Sequence, residues 1–176
     1  TNLICSNMFK RAQVWYTDFL IGLLILIAIT FIFTRTILDL NSREDRFQAL
    51  INDGSSIANS FMSSGYNKET WVNDPPSGRL GFVKDGRIIK GDFDAFLSLL
   101  NNNSYEKTKI LLGTRNDYVL YFEYNGNKIS YGGRNVYGKY NDVNQITADN
   151  TIKLTRIIYY NPDNSGRIVD MVIIIF

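Results

Sequence analysis

Acidic side chains are the groups of this sequence that could support acid–base or metal chemistry, and their spacing favours neither. The chain has 176 residues and no histidine, so it lacks the commonest general base and the commonest zinc ligand. The closely spaced acids, which are Asp92 with Asp94 and Asp39 with Glu44 and Asp45, do not match the spacing of a calcium-binding EF-hand loop. We interpret them as helix caps and solvated helix faces.

Nucleophilic and phosphate-binding chemistry are also disfavoured. No serine lies in a G-x-S-x-G motif, and no Ser–His–Asp triad can form without histidine, so a Ser–Lys pair is the combination that stays open. Gly132-Gly133 and Gly138 are not followed by Lys-Ser/Thr, as a phosphate-binding loop requires. Cys5 is the only cysteine, which excludes a disulfide or a thiolate metal site within the chain. We therefore predict no enzyme activity, no cofactor and no metal.

One acid, Asp18, stands near the start of a long apolar run that covers residues 13–34. From Trp15 to Thr34 the run has about the ~20 residues that a helix needs to cross ~30 Å of hydrocarbon. Backbone polar groups have no partners in lipid, so a spanning segment must be helical. We predict a membrane helix with Lys10 and Arg11 on the cytoplasmic side. A cleaved secretory signal is the alternative, but no A-x-A-like site follows the run.

The apolar pattern becomes periodic after Thr34, which predicts that the same helix continues as an amphipathic one. Apolar residues recur at steps of three and four with charged residues between them: Ile37, Leu40, Phe47, Leu50, Ile51, Ile57, Ala58, Phe61 and Met62. We predict one helix from about Val14 to Ser64, with a weak point at Gly54 and a left-handed cap at Gly65.

The remaining residues, 66–176, are predicted to form one mixed α and β domain. Asp85-Gly86 and Asn125-Gly126 are hairpin turn signals, and residues 151–160 and 167–176 form a longer hairpin whose last strand is central. Two short helices are expected between them, one capped by Asp92 and one running from a Ser104 cap to Gly113. The fold class is therefore α+β: a long N-terminal membrane-spanning helix continues as an amphipathic helix that packs on a C-terminal antiparallel β-sheet.

Two surface features of this domain could support recognition. The segment from residue 131 to 142 is rich in Tyr, Gly, Asn and Arg, which are typical of adaptable contact loops; its candidate contact residues are Tyr131, Arg134, Tyr137 and Tyr140. A plain loop between strands is the alternative. Asn102 lies in the one N-x-S/T sequon and is the candidate glycosylation site. The net charge of +2 is too small to indicate nucleic-acid binding.

The order of these features resembles that of type IV pilin-like proteins, particularly archaeal members with class III signal peptides. The shared order is a short basic leader, a small residue, Gln, an apolar helix with an acid near its head, an amphipathic continuation and a C-terminal sheet. Three downstream stretches also look like archaeal members: residues 79–82, 105–113 and 156–160. The resemblance covers nearly the whole chain.

The resemblance implies cleavage by a prepilin peptidase between Ala12 and Gln13, directly after Lys10 and Arg11. Residues 1–12 would then be the leader, with translation starting at Met8. The other implied parts are a transmembrane and filament-core half-helix, an amphipathic half-helix and an extracytoplasmic head, at residues 13–34, 35–65 and 66–176.

The function implied by the resemblance is that of a structural subunit, major or minor, of an archaeal type IV-like surface filament, with adhesion as a further role. Its partners would be other pilin-like subunits and the peptidase. The chain would lie in the membrane before assembly, and on the cell surface or in an extracellular filament afterwards. The alternative is a single-span anchored binding or sensor module that does not polymerise.

Asp18 departs from the family pattern. The family's acid is usually the fifth residue after the cut, and here the fifth is Thr17 while Asp18 is the sixth. One interpretation is that Asp18 pairs with the new α-amine at Gln13 of a neighbouring subunit, which would offset the cost of a carboxylate in lipid. The other is that Asp18 lies at headgroup level beside Trp15 and Tyr16, where the helix N-terminus favours an acid.

Overall fold

The structure is a computed structural model that describes residues 2–101, 104–163 and 166–176. Side chains are described except those of residues 2–14 and 42–43. The contacts divide the chain into two units, Thr1–Arg46 and Phe47–Phe176. The first unit is helical, and the second contains all the described strands.

Helix α1 covers Asn2–Phe61 and therefore ends before the predicted Ser64. Its last turn closes with bonds from the Met62 amide to the Ala58 carbonyl and from the Ser63 amide to the Ser60 carbonyl, and Ser64–Tyr66 then forms strand β1. Gly65 is thus a strand residue and not the predicted helix cap. A Cβ at Gly65 would lie 2.8 Å from the Trp71 ring, so this glycine allows close packing.

The second unit is a mixed sheet covered by helices. After β1 come β2 (Arg79–Lys84), β3 (Arg87–Ile88), α2 (Lys90–Asn101), α3 (Tyr105–Leu112), β4 (Tyr118–Tyr124), β5 (Asn127–Lys128), β6 (Tyr137–Gly138), β7 (Ile152–Tyr160) and β8 (Arg167–Ile175). The strand order is β1-β2-β3-β7-β8-β4-β5, with β6 beside β4. All pairs are antiparallel except β3 with β7, which are parallel and meet at Arg87 and Tyr159. The predicted α+β fold is confirmed, although the sheet is mixed and not purely antiparallel.

The predicted hairpin turns are present and have the backbone that their residues favour. Asp85 and Gly86 have φ values of 52° and 73°, and Asn125 and Gly126 have φ values of 49° and 77°. Positive φ at both central residues is typical of the type I′ turn, whose twist matches that of the flanking strands. The β7–β8 hairpin is also confirmed, and β8 lies between β7 and β4 as predicted.

Strand β8 is central because it is apolar on both faces. On one face Met171, Ile173 and Ile175 belong to the main core, together with buried residues of α1 such as Phe61. On the other face Val172 belongs to a smaller buried cluster. The helix approaches the sheet closely at Gly54, where a Cβ would lie 2.7 Å from Ile175 Cδ1 and 2.8 Å from Leu154 Cδ1. Gly54 is therefore a helix–sheet contact position.

We predict that Gly81→Ala strongly destabilises the head. Gly81 is buried in β2, and a Cβ there would lie 2.3 Å from the Ser63 carbonyl oxygen and 2.5 Å from that of Ser60, which cannot move independently of the backbone. We expect a loss of about 2–3 kcal/mol in the free energy of unfolding, measured by thermal denaturation of the detergent-solubilised chain. Gly91→Ala is the matched control, because its Cβ would meet only Lys68 Nζ at 3.9 Å. Equal melting temperatures for the two variants would contradict this packing.

Candidate functional site

The first half of α1 presents an apolar surface that no described residue covers. The helix from Trp15 to Phe61 contains the one stretch in the described chain that is long and apolar enough to cross a membrane, with a mean hydropathy of 2.4 and no buried residue in that stretch. Large side chains are exposed around the whole circumference, among them Phe19, Leu24, Leu26, Phe31 and Phe33. A surface of this size is typical of a membrane or protein contact.

Threonine hydroxyls in this stretch are satisfied within the helix. The hydroxyls of Thr30, Thr34 and Thr36 donate to the carbonyls four residues earlier, at 2.8, 2.8 and 2.9 Å respectively. A buried hydroxyl without a partner would be costly in lipid or in a helix bundle. These bonds therefore make the polar positions of the run compatible with an apolar environment.

Asp18 lies on this apolar surface and is exposed in the isolated chain. Trp15 and Tyr16 on the preceding turn are 80% and 65% exposed. The side chains of the predicted leader and cleavage residues, Lys10–Gln13, lie outside the described residues. Asp18 therefore lies on the exposed surface of α1, and its predicted pairing with a neighbouring subunit stays a prediction.

The exposed apolar surface continues beyond the length of a bilayer. The periodic apolar residues predicted after Thr34 form a stripe along α1. In this stripe, Leu50 and the later residues are buried or packed against the core of the head. Ile37, Leu40 and Phe47 are instead 49%, 62% and 48% exposed. The expectation that a globular partner covers one face of the amphipathic half is thus met from Leu50 onward and not before it.

The predicted solvated acids of α2 have structural partners. Helix α2 begins at Lys90, so Asp92 lies inside the first turn and is not the predicted cap. Asp92 is 4% exposed and accepts bonds from Lys68 Nζ at 2.6 Å and from the Gly65 amide at 3.1 Å. Asp94 accepts a bond from the Tyr131 hydroxyl at 2.7 Å. These acids join α2 to β1 and to the segment after β5.

The tyrosines of the predicted contact segment are used largely inside the head. Tyr137 is fully buried, so the prediction that it is a surface contact residue was wrong. Its ring packs on Phe93, and its hydroxyl donates to the Arg134 carbonyl at 2.9 Å. Tyr131 and Arg134 are half-buried, and Tyr140 stacks on Phe176 with 5.7 Å between ring centroids. Burial raises the pKa of both Tyr131 and Tyr137 to about 12. The segment therefore contributes to both buried clusters, and the residues that it exposes include Gly132, Gly133 and Asn135.

A charged cluster that the sequence analysis did not identify joins α3 to the start of β4. Asp117 Oδ1 accepts bonds from Lys109 Nζ at 2.9 Å and from the Tyr105 hydroxyl at 3.1 Å, and Lys139 Nζ lies 3.6 Å from Oδ2. Burial opposes ionisation of Asp117, but the bonds from Lys109 and Tyr105 outweigh it and lower its pKa. Burial raises the pKa of Tyr105, whose hydroxyl also accepts from the Tyr118 amide. No spacing rule connects these residues, because the cluster depends on how α3 meets β4.

The remaining candidate positions give no site. Among the described residues no group of three or more His, Cys, Asp and Glu side chains could hold a metal ion. The glycosylation candidate Asn102 lies outside the described residues. The candidate site supported by the geometry is thus the exposed apolar surface of α1, from Trp15 to Phe47.

Comparison of the chain with protein-family models, with curated proteins and with solved structures finds no match.

We predict that Asp117 makes the head sensitive to acid. Its pKa is lower in the folded chain than in the unfolded one, so its stabilisation is present above the ordinary carboxyl pKa of about 4 and is lost as the pH falls through the folded pKa. Asp117→Asn should lower the free energy of unfolding by about 1–2 kcal/mol at pH 7 and by less at pH 3.

The measurement is chemical denaturation of the full chain in detergent between pH 3 and pH 7. Asp85→Asn, on the exposed β2–β3 turn, controls for the loss of one carboxylate. If Asp117→Asn were as costly at pH 3 as at pH 7, its effect would not come from the ionised carboxylate.

Proposed function

We propose that this chain is a pilin-like structural subunit, major or minor, of an archaeal type IV-like surface filament, and that α1 forms the filament core. One observation carries the proposal: the exposed apolar surface of α1 is longer than a membrane can cover. A bilayer accounts for about 20 residues, roughly Trp15–Thr34. Ile37, Leu38, Leu40 and Phe47 lie beyond that length and stay exposed.

Contact with other α1 helices would bury both parts of this surface at once. Apolar area is stabilised by about 25 cal/mol for each Å² removed from water. Arg35 and Asp39 interrupt the apolar surface after Thr34, which argues against deeper insertion into lipid because intramembrane charges are costly. A neighbouring helix can cover the apolar side while the charges stay at the edge of the contact. Filament assembly therefore explains the exposed side chains that membrane insertion leaves uncovered.

The proposed assembly has three steps. The peptidase cuts between Ala12 and Gln13 while the N-terminus is cytoplasmic and the head is outside. The apolar half of α1 then exchanges lipid for the helices of other subunits, and the heads coat the surface. Asp18 pairs with the new amine at Gln13 of a neighbour, so that a charge in an apolar environment is partnered.

A single-span anchored binding module is the second candidate, and one observation favours it. The acid stands one residue later than in the family pattern, which removes the expected register for pairing with the amine. In this case the head would act alone, and the exposed part of the segment after β5, including Gly132, Gly133 and Asn135, would be available for binding.

The two candidates predict different mature N-termini. A filament subunit should begin at Gln13, because removal of the basic leader frees the amine that assembly uses. We expect mass spectrometry of purified surface filaments to detect this chain with Gln13 as its first residue. Recovery of the chain only as uncut monomers in membranes would contradict the filament proposal and support the anchored module.

Polar substitution of the exposed stripe should impair assembly without affecting insertion. In the triple variant Ile37→Ser, Leu40→Ser and Phe47→Ser, each change removes about 1 kcal/mol or more of contact that forms only between subunits. We expect filament number on cells, counted by electron microscopy, to fall at least about tenfold. Membrane levels and the melting temperature of the head should stay unchanged.

Ile110→Ser is the matched control, because Ile110 is 58% exposed on α3 of the head. It should leave filament number unchanged. Normal filaments in the triple variant would show that the stripe beyond Thr34 is not an assembly contact.

A further inference from the structure

Strand β7 has an open edge that the rest of the described sheet does not cover. Strand β8 is paired along both sides, and β4 is paired with β8 on one side and with β5 and β6 on the other. Strand β7 pairs with β8 along all nine residues, but it meets β3 only at Tyr159. Most of the other side of β7 is therefore unpaired.

The position of Tyr159 fixes which backbone groups face that edge. The Tyr159 amide donates to the Gly86 carbonyl at 2.7 Å, so its N–H points away from β8. Successive residues of a strand point their N–H and C=O groups in alternate directions. The same groups of Lys153, Thr155 and Ile157 therefore face the open edge, and within the described residues they have no backbone partner. The Thr155 carbonyl accepts a long bond of 3.4 Å from the adjacent Arg156 guanidinium, which a strand partner would replace. All three side chains are exposed, Ile157 by 71%.

We propose that this edge is a strand-addition site occupied by the same edge of a second copy of the chain. The two β7 strands would run antiparallel about a two-fold axis at Thr155. Thr155 would face its counterpart, and Lys153 of each copy would face Ile157 of the other. Each of the three pairs exchanges two hydrogen bonds, so the contact satisfies every open group of both edges.

Two alternative registers, each shifted by four residues, are worse for identifiable reasons. An axis at Ile157 would place Thr155 opposite Tyr159, whose amide is already bonded to Gly86. An axis at Lys153 would place two lysines directly opposite each other, and like charges in that position are destabilising. The register centred on Thr155 avoids both problems.

Charge complementarity supports the same register. On the outward face of the sheet, Ile157 is followed by Asp170 on β8 and by Glu123 on β4. Lys153 of the second copy would lie beside Ile157, about 10 Å from the Asp170 Cα, and its flexible stem can cross Ile157. Lys153 and Asp170 form no ion pair with any described residue of their own chain. The dimer would thus pair each Lys153 with the acids of the other copy.

The proposal does not depend on the filament proposal. A two-fold axis reverses direction, so it cannot relate successive subunits of one polar filament. The contact would join copies in two separate filaments, or two copies released from the membrane. A test on the solubilised chain therefore succeeds or fails independently of filament formation.

Cysteine cross-linking tests the register directly. All variants carry Cys5→Ser and are used as the full chain in detergent, under mild oxidation. Thr155→Cys alone should give disulfide-linked dimers, because paired Cα atoms lie about 5.5 Å apart. Lys153→Cys alone and Ile157→Cys alone should not, since each is about 14 Å from its own counterpart. A mixture of those two variants should give the heterodimer.

A proline variant separates edge pairing from folding. Thr155→Pro deletes the outward N–H while the bonds of β7 to β8 remain, and edge positions tolerate proline. When Thr155→Pro is added to both the Lys153→Cys chain and the Ile157→Cys chain, the heterodimer yield of their mixture should fall at least about tenfold. Thr155→Val is the matched control, because it keeps the N–H and should keep the yield. Melting temperatures establish that the variants fold.

The outcomes are decisive in either direction. Cross-linking at Thr155 and in the mixture, with loss in the proline variant, supports the two-fold edge contact. The exposed control Asp170→Cys on β8 should not cross-link. Equal cross-linking at every position indicates random collision, and no cross-linking at Thr155 in a folded chain means that the edge is not paired by a second copy. Either result would overturn the proposal.

Discussion

The need to bury one helix surface governs the organisation of this protein. About three turns of α1 beyond Thr34, from Ile37 to Phe47, carry apolar side chains that stay exposed, and the core of the head covers the helix only from Leu50 onward. A membrane accepts uniformly apolar helix, whereas a stretch that alternates apolar with charged residues needs a protein surface on one side. The two halves of α1 therefore require different surroundings, which is the basis of our proposal that other α1 helices cover both.

The head is built so that α1 ends inside its core. Phe61 is fully buried and packs on Phe82, Phe96 and Tyr118, with ring centroids 5.0 to 5.7 Å apart. Asp53, nearly two turns into the head, accepts bonds from Thr114 and Asn116 on the loop before β4. The C-terminal end of α1 is therefore held in the head by packed rings and hydrogen bonds.

Local patterns were enough to predict most of the fold. The Asp85-Gly86 and Asn125-Gly126 turns, the Gly113 cap of α3 and the central β8 all follow from residue types with few alternatives. The end of α1 was predicted less well, because pairing of residues 64–66 with β2 overrides a plausible glycine cap. The parallel β3–β7 contact has no local signal, since it joins residues more than seventy positions apart.

The candidate site was predictable in type but not in extent. The apolar run of α1 can be identified from the sequence. Only the structure shows that burial starts at Leu50 and that Phe47 stays exposed. Composition was misleading for Tyr137, because tyrosine occurs both in recognition loops and in protein cores. In this protein Tyr137 is part of the core. Asp92 and Asp117 likewise became buried or bonded through long-range contacts with Lys68 and Lys109 that no spacing rule reveals.

Symmetry separates the two contacts argued for this chain. Helix packing in a polar filament is heterologous, so it can continue without limit, whereas pairing of β7 edges is isologous and closes at two copies. A closed contact contributes no growth to a filament, but it hides a strand edge that would otherwise be open to unspecific pairing. The contact involves three residues on each side, and a disulfide at Thr155 would trap it covalently.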